Sequence, residues 1–299
     1  MNLLQHPTWA IDPTHFQLQA QNWLQPRAEQ LAKFQQTLAP ILQARSQTLM
    51  EYCQEKADEK FDLEYDPASG IGIMHISGIM AGQCDPIDEY CYECYNTTRI
   101  FENLKEAQEY VNLSAGLRLL LLHFDTPGGS VLAIPEAAQA ILDFRRNNPQ
   151  VLVLSWMNFC ASAGIYLAMA AEYTAAPPYA ILGSIGTMFA SPDLSEAWKM
   201  SGISWTILTD GIYKAMGAKG LPLTEAQMDL IKQKLNEIGP AFKNFIKAQR
   251  PKITDAEMQG QTFSATQIPA LCDHTTHQDP AEYLNWILQG LATTPAAAA

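Results

Sequence analysis

Apolar residues are spaced differently in three parts of the chain. In residues 1–65 they recur at intervals of three and four among many glutamines, most regularly over 31–42, which predicts a helical N-terminal arm. From about residue 66, short apolar runs alternate with Gly and Pro, which is typical of a folded domain with strands. No core pattern continues to the end of the chain, so we expect a domain over 66–285 and a flexible tail over 286–299.

The central part of the domain alternates strand-like and helix-like segments. Residues 117–124 are almost continuously apolar, as in a strand that is buried on both faces. Strands that alternate with helices predict an α/β fold with a mainly parallel sheet. The predicted strands are 71–76, 78–80, 117–124, 151–156, 179–182 and 205–208, and the predicted helices are 134–148, 163–172 and 224–250, the last one interrupted at Gly239 and Pro240.

Composition and charge exclude several classes of partner. The chain has 299 residues, of which 47% are hydrophobic, and a formal net charge of −12, which repels phosphate backbones and anionic lipid. No apolar run reaches the roughly 18 to 20 residues that a membrane span needs, and the first residues do not look like a secretory signal. We therefore expect no nucleic-acid partner, no membrane span and a cytoplasmic location.

Six cysteines in a chain of this length do not suggest a disulfide framework, and we expect reduced thiols. Cys84, Cys91 and Cys94 could supply three thiolates to zinc, but no further Cys or His pair follows at a suitable spacing. We favour ordinary loop thiols and no metal. Whether this loop contacts substrate, a metal ion or a neighbouring subunit stays open.

Three turns that follow predicted strands could carry chemistry, because ligand sites form at the carboxyl ends of parallel strands. The turn 127–129 reads Pro-Gly-Gly, so its backbone can approach a ligand closely. The turn 159–164 places Ser162 where a helix begins, and 183–186 contains Ser184. A serine at such a junction is either a helix N-cap or a nucleophile beside free N–H groups.

A nucleophilic serine needs a base, and none of the six histidines is an evident partner. His123 lies within an apolar strand and is interpreted as a core residue. A lysine can act instead if burial lowers its pKa from about 10.4 to about 7 or 8. Lys214 follows a predicted strand among neutral neighbours, although an exposed surface lysine is the simpler interpretation.

Taken together, these segments resemble the signal peptide peptidase A family of serine-lysine proteases. The matching motifs are Asp-x-Pro-Gly-Gly at 125–129, Ser-small-Gly-x-Tyr at 162–166, Gly-Ser-Ile-Gly at 183–186 and Gly-x-x-Lys at 211–214. Ser184 follows Ser162 by 22 residues and Lys214 follows it by 52, which are the family's spacings. The resemblance covers about residues 70–285 and includes a closing motif at 260–267.

The resemblance implies a role for each matching residue. Ser162 is the expected nucleophile and Lys214 the general base, which Ser184 orients. The backbone N–H groups of Gly129 and Ala163 are the expected oxyanion hole.

The resemblance also implies a substrate, a fold and an assembly. Extended polypeptide substrate is expected to pair with backbone near 78–82 and 127–129, in particular Gly78, Pro127 and Gly128. The implied fold is the Clp-protease and crotonase type, a spiral of ββα units, and members assemble as homo-oligomeric rings or domes that the helical arm could contact. No cofactor is expected.

Within the family, residues 125–129 and 158–164 resemble the phage head-maturation branch. The expected roles are therefore capsid or scaffold processing, or degradation of signal-peptide remnants. Two alternatives remain: a non-catalytic assembly protein of a phage-like particle on the same fold, and an acyl-CoA enzyme of the crotonase type.

Overall fold

The computed structural model describes residues 39–113, 116–218 and 220–293. These residues fall into two compact units, a smaller one from 186–245 and a larger one from 39–185 and 246–293. The helices are α1 (Ala39–Phe61), α2 (Pro86–Cys91), α3 (Thr98–Val111), α4 (Ile134–Asn147), α5 (Ala163–Ala168), α6 (Ser195–Met200), α7 (Glu225–Gln249) and α8 (Pro280–Thr293), with 3₁₀ turns at Asp255–Glu257 and Ala265–Gln267. The strands are β1 (Glu64–Asp66), β2 (Ile71–Ser77), β3 (Ile79–Ala81), β4 (Cys94–Asn96), β5 (Leu119–Thr126), β6 (Leu152–Ala161), β7 (Tyr173–Ala176), β8 (Ile181–Gly183), β9 (Thr262–Ser264) and β10 (His274–Thr275).

Eight of the described strands form one mixed sheet in the larger unit. Its main order is β1-β2-β5-β6-β7-β10, and β8 branches off to pair with both β6 and β9. Every neighbouring pair is parallel except β1 with β2 and β8 with β9. A second sheet contains β3 and β4, which are also parallel. The prediction of a mainly parallel α/β fold is confirmed.

The centre of the sheet is apolar because β5 and β6 are covered on both faces. Leu119, Leu121, Leu154 and Trp156 share one face and pack against α8, which contributes Tyr283 and Leu284. Helix α8 extends beyond residue 285, where the domain was expected to end, and continues to Thr293. Residues 294–299 of the expected tail lie outside the described residues.

The second half of α1 is packed onto the larger unit. Its residues Cys53, Ala57 and Phe61 are buried. The guanidinium of Arg99 in α3 pairs with Asp58 at 2.9 Å and with Asp62 at 3.0 Å. Residues 1–38 of the expected arm lie outside the described residues, and an oligomer contact made by the arm stays a prediction.

Several predicted elements differ from the structure. No strand forms at 205–208, where three of the four side chains are exposed. Helix α7 is continuous through Pro240, and α5 ends at Ala168 rather than at residue 172. Strand β7 was not predicted, because its four residues fall at the end of an alanine-rich helical pattern.

The expectation that all cysteines are reduced is wrong. Cys84 and Cys94 form a disulfide, whereas Cys53, Cys91, Cys160 and Cys272 are free. The disulfide spans α2 and joins the segment after β3 to the first residue of β4. Two of the three sulfurs weighed as zinc ligands are therefore not thiolates. The cytoplasmic location stays a prediction.

Among the helices within the described ranges, none combines the length and the apolar character that crossing a membrane requires.

Candidate active site

The Gly-Gly turn after β5 is held from one side by β3. The N–H of Met80 donates to the carbonyl oxygen of Gly128 at 2.9 Å. The carbonyl oxygen of Met80 accepts from the N–H of Ser130 at 2.8 Å. A Cβ at position 129 would lie 2.0 Å from the Met80 oxygen. Only glycine fits at position 129, so the sequence brings the two backbones together here.

On its other side the same turn lies against the expected nucleophile. Gly128 has a φ of +93°, and a Cβ there would lie 2.7 Å from the Cβ of Ser162 and 3.0 Å from the N of Ala163. A side chain at position 128 would therefore occupy space next to the nucleophile. The structure thus places Gly128 next to Ser162 and Ala163, and Gly129 follows Gly128 in the same turn.

Ser162 has an unusual backbone conformation at the junction of β6 and α5. Its φ of 51° and ψ of −116° are rare for a residue with a side chain, and such strained positions cluster at functional sites. Its N–H donates to the carbonyl oxygen of Gly183 at 2.8 Å. Its half-buried side chain makes no capping hydrogen bond to α5, so the N-cap interpretation of this serine is wrong.

Ser184 lies beside Ser162 at the end of β8. Strands β6 and β8 are in parallel register with Ala161 opposite Gly183, so the two serines leave the sheet side by side. Ser184 also has a positive φ, 53°, and its N–H donates to the carbonyl oxygen of Gln261 at 2.7 Å. The closing motif at 260–267 is thus packed against the second serine.

Two backbone N–H groups next to Ser162 are available to a ligand. Within the described residues of this unit, the N–H groups of Gly129 and Ala163 donate to no protein acceptor. The N–H of Ala163 is free because it belongs to the first turn of a helix. A pair of uncompensated donors beside a serine hydroxyl can stabilise negative charge that develops on a carbonyl oxygen.

Cys160 precedes Ser162 by two residues and could be mistaken for the nucleophile. Its side chain is fully buried, and burial raises the pKa of its thiol well above the ordinary value. The reactive form of cysteine is the thiolate, so Cys160 is unreactive in this fold.

The expected base lies in the smaller unit. Lys214 is exposed in the turn 211–217. Its backbone N–H donates to the carbonyl oxygen of Gly211 at 3.0 Å. The turn is tied to α7 by Gln227, whose Nε2 donates to the carbonyl oxygen of Ile212 at 3.0 Å. Gln227 also forms a capping box with Thr224 at the start of α7, in which each side chain accepts from the backbone N–H of the other residue.

Substrate pairing along residues 78–81 needs correction, because this backbone is already hydrogen-bonded on both sides. Gly78 donates to the carbonyl oxygen of Asp125 at 3.0 Å, and Ile79 donates to that of Glu93 at 2.8 Å. The carbonyl oxygen of Ala81 accepts from Thr97 at 2.9 Å. Both backbone groups of Gly128 are in use as well, since its N–H donates to Thr126 and its carbonyl oxygen accepts from Met80. The expected pairing stays a prediction for Gly82 and for Pro127, which is exposed.

Sequence analysis overlooked one side chain of the turn, that of Thr126. It is the variable position of the Asp-x-Pro-Gly-Gly motif, so the motif gave no reason to single it out. Its hydroxyl nevertheless donates to the carbonyl oxygen of Gly78 at 2.6 Å and accepts from the N–H of Gly128 at 3.0 Å.

Comparison with known proteins gives a family match over part of the chain. Residues 145–270 match the model of Peptidase family S49, a segment that contains Ser162, Ser184 and Lys214. The glycine turn at 127–129 lies outside this segment, so its relation to Ser162 rests on the geometry.

Two relatives illustrate the match. The chain is 33% identical over 132 residues to "Probable protease SohB" of Buchnera aphidicola subsp. Schizaphis graminum, which covers 44% of this chain and 38% of that protein. It is 29% identical over 154 residues to "Capsid assembly protease C" of Escherichia phage lambda, which covers 51% of this chain and 33% of that protein. The chain thus matches less than half of the length of either relative.

Among solved structures, an enoyl-CoA hydratase/isomerase family member matches with a TM-score of 0.45 and 12% identity, covering 78% of this chain and 76% of the other. This likeness is too low to distinguish enzyme classes. The resemblance to the signal peptide peptidase A family is nevertheless confirmed by the sequence relatives, and residues 145–270 match Peptidase family S49.

Proposed function

We propose that the chain is a serine endopeptidase in which Ser162 is the nucleophile and Lys214 the general base. Its substrate class is extended or unfolded polypeptide, which reaches the turn 127–129 at the exposed Pro127. The observation that carries the proposal is the Ser162 hydroxyl, which caps no helix and stands beside the free N–H groups of Gly129 and Ala163.

Acylation needs a proton acceptor and a site for negative charge. The Oγ of Ser162 attacks the carbonyl carbon of the scissile peptide while the neutral amine of Lys214 takes the hydroxyl proton. The oxyanion of the tetrahedral intermediate accepts hydrogen bonds from Gly129 and Ala163, and a single such donor contributes about 3 to 4 kcal/mol in well-studied hydrolases. The lysine ammonium then protonates the leaving amine.

Deacylation repeats the same steps with water. Lys214 takes a proton from a water molecule that attacks the acyl-enzyme, and the second tetrahedral intermediate uses the same N–H groups. When it collapses, the lysine returns the proton to Ser162 Oγ. Ser184 orients the amine throughout.

Cleavage of casein, an unstructured protein, tests this proposal. Wild type, Ser162→Ala, Lys214→Ala and Ser184→Ala are compared, with size-exclusion profiles for each variant. Lys234→Ala is the matched control, since Lys234 is another exposed lysine of the smaller unit. We expect loss of cleavage by at least about 1,000-fold in the Ser162 and Lys214 variants, a smaller loss for Ser184, and none for Lys234.

Each contrary outcome has a definite meaning. Activity that survives in Ser162→Ala contradicts the assignment of the nucleophile. A folded wild type that cleaves neither casein nor a peptide library favours the non-catalytic assembly protein, and turnover of an acyl-CoA thioester favours the crotonase-type enzyme.

We also propose that the protein acts as a homo-oligomer and processes capsid or scaffold protein or degrades signal-peptide remnants. The smaller unit supports self-association because it exposes large apolar side chains, which are typical of protein–protein contacts; among them are Met200, Leu208 and Ile212, exposed by 89%, 91% and 71%. Light scattering of wild type and Leu208→Asp is the test. A monomer for wild type contradicts the assembly.

A further inference from the structure

The side chain of Thr126 contacts three parts of the candidate site: the entry to β3, the glycine turn and α5. It is fully buried at the end of β5. Its hydroxyl donates to Gly78 at the entry to β3 and accepts from Gly128, at 2.6 Å and 3.0 Å. The hydroxyl acts both as a donor and as an acceptor, and this fixes its rotation about the C–O bond.

The methyl group of Thr126 lies against the helix that follows the nucleophile. A Cβ at position 164 would approach the Cγ2 of Thr126 to 2.6 Å, so Gly164 is required for this contact. Thr126 therefore contacts the glycine turn through its hydroxyl and α5 through its methyl group.

Thr126 holds the peptide group next to the one that carries the oxyanion donor. Its hydroxyl binds the N–H of Gly128, whereas the N–H of Gly129 belongs to the following peptide, whose carbonyl oxygen accepts from Met80. Gly128 and Gly129 have no side chains to restrict them, and glycine loses the most conformational freedom on ordering. The N–H of Gly129 can stabilise an oxyanion only if it points at the reacting carbonyl oxygen, and a displacement of about 1 Å is enough to cost about 100-fold in rate.

We propose that Thr126 is a positioning residue. Its hydroxyl fixes the Pro127–Gly128 peptide, and together with Met80, which holds the following peptide by its carbonyl oxygen, it directs the N–H of Gly129 into the oxyanion hole. This inference rests on the proposed function. Without the hydroxyl, the N–H of Gly128 has no acceptor and the carbonyl oxygen of Gly78 loses a donor, which favours a reorientation of the turn.

The experiment compares Thr126→Val, which keeps the shape and removes the hydroxyl, with Thr126→Ser, which keeps the hydroxyl. The control is Thr174→Val, since Thr174 is also fully buried and its hydroxyl likewise donates to a carbonyl oxygen, that of Leu271, and accepts from a backbone N–H, that of Asp273. Rates are measured on a fluorogenic peptide derived from a casein cleavage site.

For Thr126→Val we expect kcat to fall by about 10- to 100-fold while KM changes by less than about threefold, because the lost interaction acts in the transition state. We expect Thr126→Ser and Thr174→Val to keep kcat within about threefold of wild type, because both variants retain a hydroxyl group at position 126. If Thr126→Val does not fold, Thr126→Ala is compared with Thr126→Ser, because both lack the methyl group and differ only in the hydroxyl.

A second readout, amide hydrogen exchange of the segment 127–131, does not depend on activity. We expect faster exchange in Thr126→Val and wild-type exchange in Thr126→Ser. The inference is overturned by unchanged exchange in Thr126→Val, by an equal loss of kcat in Thr126→Ser, or by an equal loss in Thr174→Val. A wild type without peptidase activity contradicts the proposed function alone, and exchange then decides whether Thr126 orders the turn.

Discussion

Gly128 lies so close to Ser162 that a Cβ on the glycine would approach the Cβ of the serine to 2.7 Å. The two residues belong to turns after neighbouring parallel strands, β5 and β6, which pair up to Thr126 and Cys160. The parallel pairing thus places the glycine turn and Ser162, the proposed nucleophile, at the same edge of the sheet. The contact explains why a side chain is not tolerated at position 128.

We expect Gly128→Ala to reduce peptidase activity by at least about 100-fold, which is the effect of losing one oxyanion donor. The added methyl group must displace either Ser162 or the turn, and the φ of +93° adds strain. Peptide hydrolysis by the purified variant measures the loss, and circular dichroism checks the fold.

Gly202→Ala separates the clash from the backbone strain. Gly202 also has a positive φ, +73°, but a Cβ there would meet nothing within 4 Å. We expect this variant to lose some stability and to keep its activity. Equal activity losses in the two variants would contradict the argument from close contact.

The residues of the site next to Ser162 were predictable because their chemistry is tied to local sequence signals. Gly128 and Gly129 are adjacent, and Ser162 stands where an apolar strand gives way to a run of small residues. Parallel strand topology then places such turns at one edge. The mainly parallel sheet itself followed from the alternation of strand and helix patterns.

Other features depend on contacts that no local pattern reveals. Thr126 acts through hydrogen bonds to Gly78, which is 48 residues away in the chain. The hydrogen bonds that occupy the backbone of 78–81 are likewise set by distant partners around Gly128 and Glu93, so the pairing expected near 78–82 could not be checked from the sequence. The 205–208 segment has residues that favour β structure, but it pairs with no strand of the described residues, so no β-strand forms there.

The Cys84–Cys94 disulfide is expected to stabilise the protein. It closes a loop with a sequence separation of 10, and native disulfides typically contribute about 2 to 4 kcal/mol to the free energy of unfolding. We expect Cys84→Ser with Cys94→Ser to lower that free energy by about this amount in urea titrations. Cys91→Ser, which removes an exposed free thiol between them, is the control and should change little.

Thiol titration of unfolded, unreduced protein checks the disulfide directly. Four reactive thiols are expected if Cys84 and Cys94 are paired, since Cys53, Cys91, Cys160 and Cys272 are free. Six reactive thiols in protein purified without reductant would show that the pair is reduced.

Arg99 is expected to be the most important charged residue for the stability of the larger unit. Its buried guanidinium binds the buried carboxylate of Glu89 at 2.8 Å and also pairs with Asp58 of α1 and with Asp62, which directly follows α1. Removing one partner of a buried pair leaves the other charge uncompensated, which typically costs about 3 to 5 kcal/mol. We expect a loss of this size for Arg99→Leu in urea titrations.

Two further variants test the origin of that loss. In Arg99→Leu with Glu89→Leu, neither buried charge remains, so part of the stability should return. Arg146→Leu removes an exposed arginine that pairs with Asp143, and we expect a change below about 1 kcal/mol. A double variant no more stable than Arg99→Leu would refute the explanation by an unpaired charge.

Hydrogen-bonding groups lie next to both ring nitrogens of His123. The Nε1 of Trp156 donates to the Oδ1 of Asn158 at 2.9 Å, so the Nδ2 of that amide faces the Nε2 of His123 at 3.0 Å. The hydrogen bonds therefore assign the His123 proton to Nδ1, which lies 3.2 Å from the Nδ1 of His75. On the far side, His75 Nε2 lies 3.3 Å from the carboxylate of Glu64.

A second proton on His123 has no acceptor in this arrangement. Burial, followed by the neighbouring His75, lowers the pKa of His123 from 6.5 to about 4, and Glu64 opposes this only weakly. Since the unfolded chain takes up the proton near pH 6.5 and the folded chain only near pH 4, the stability from neutral His123 is present above pH 6.5. It is lost progressively as the pH falls from 6.5 to about 4.

Urea titrations at pH 7, 5.5 and 4.5 measure this dependence. We expect the free energy of unfolding of wild type to fall over this range more steeply than that of His123→Asn, which has no proton to take up. His277→Gln, a change at an exposed histidine, should keep the wild-type slope. Parallel pH profiles for wild type and His123→Asn would mean that His123 is not held neutral by its neighbours in the folded protein.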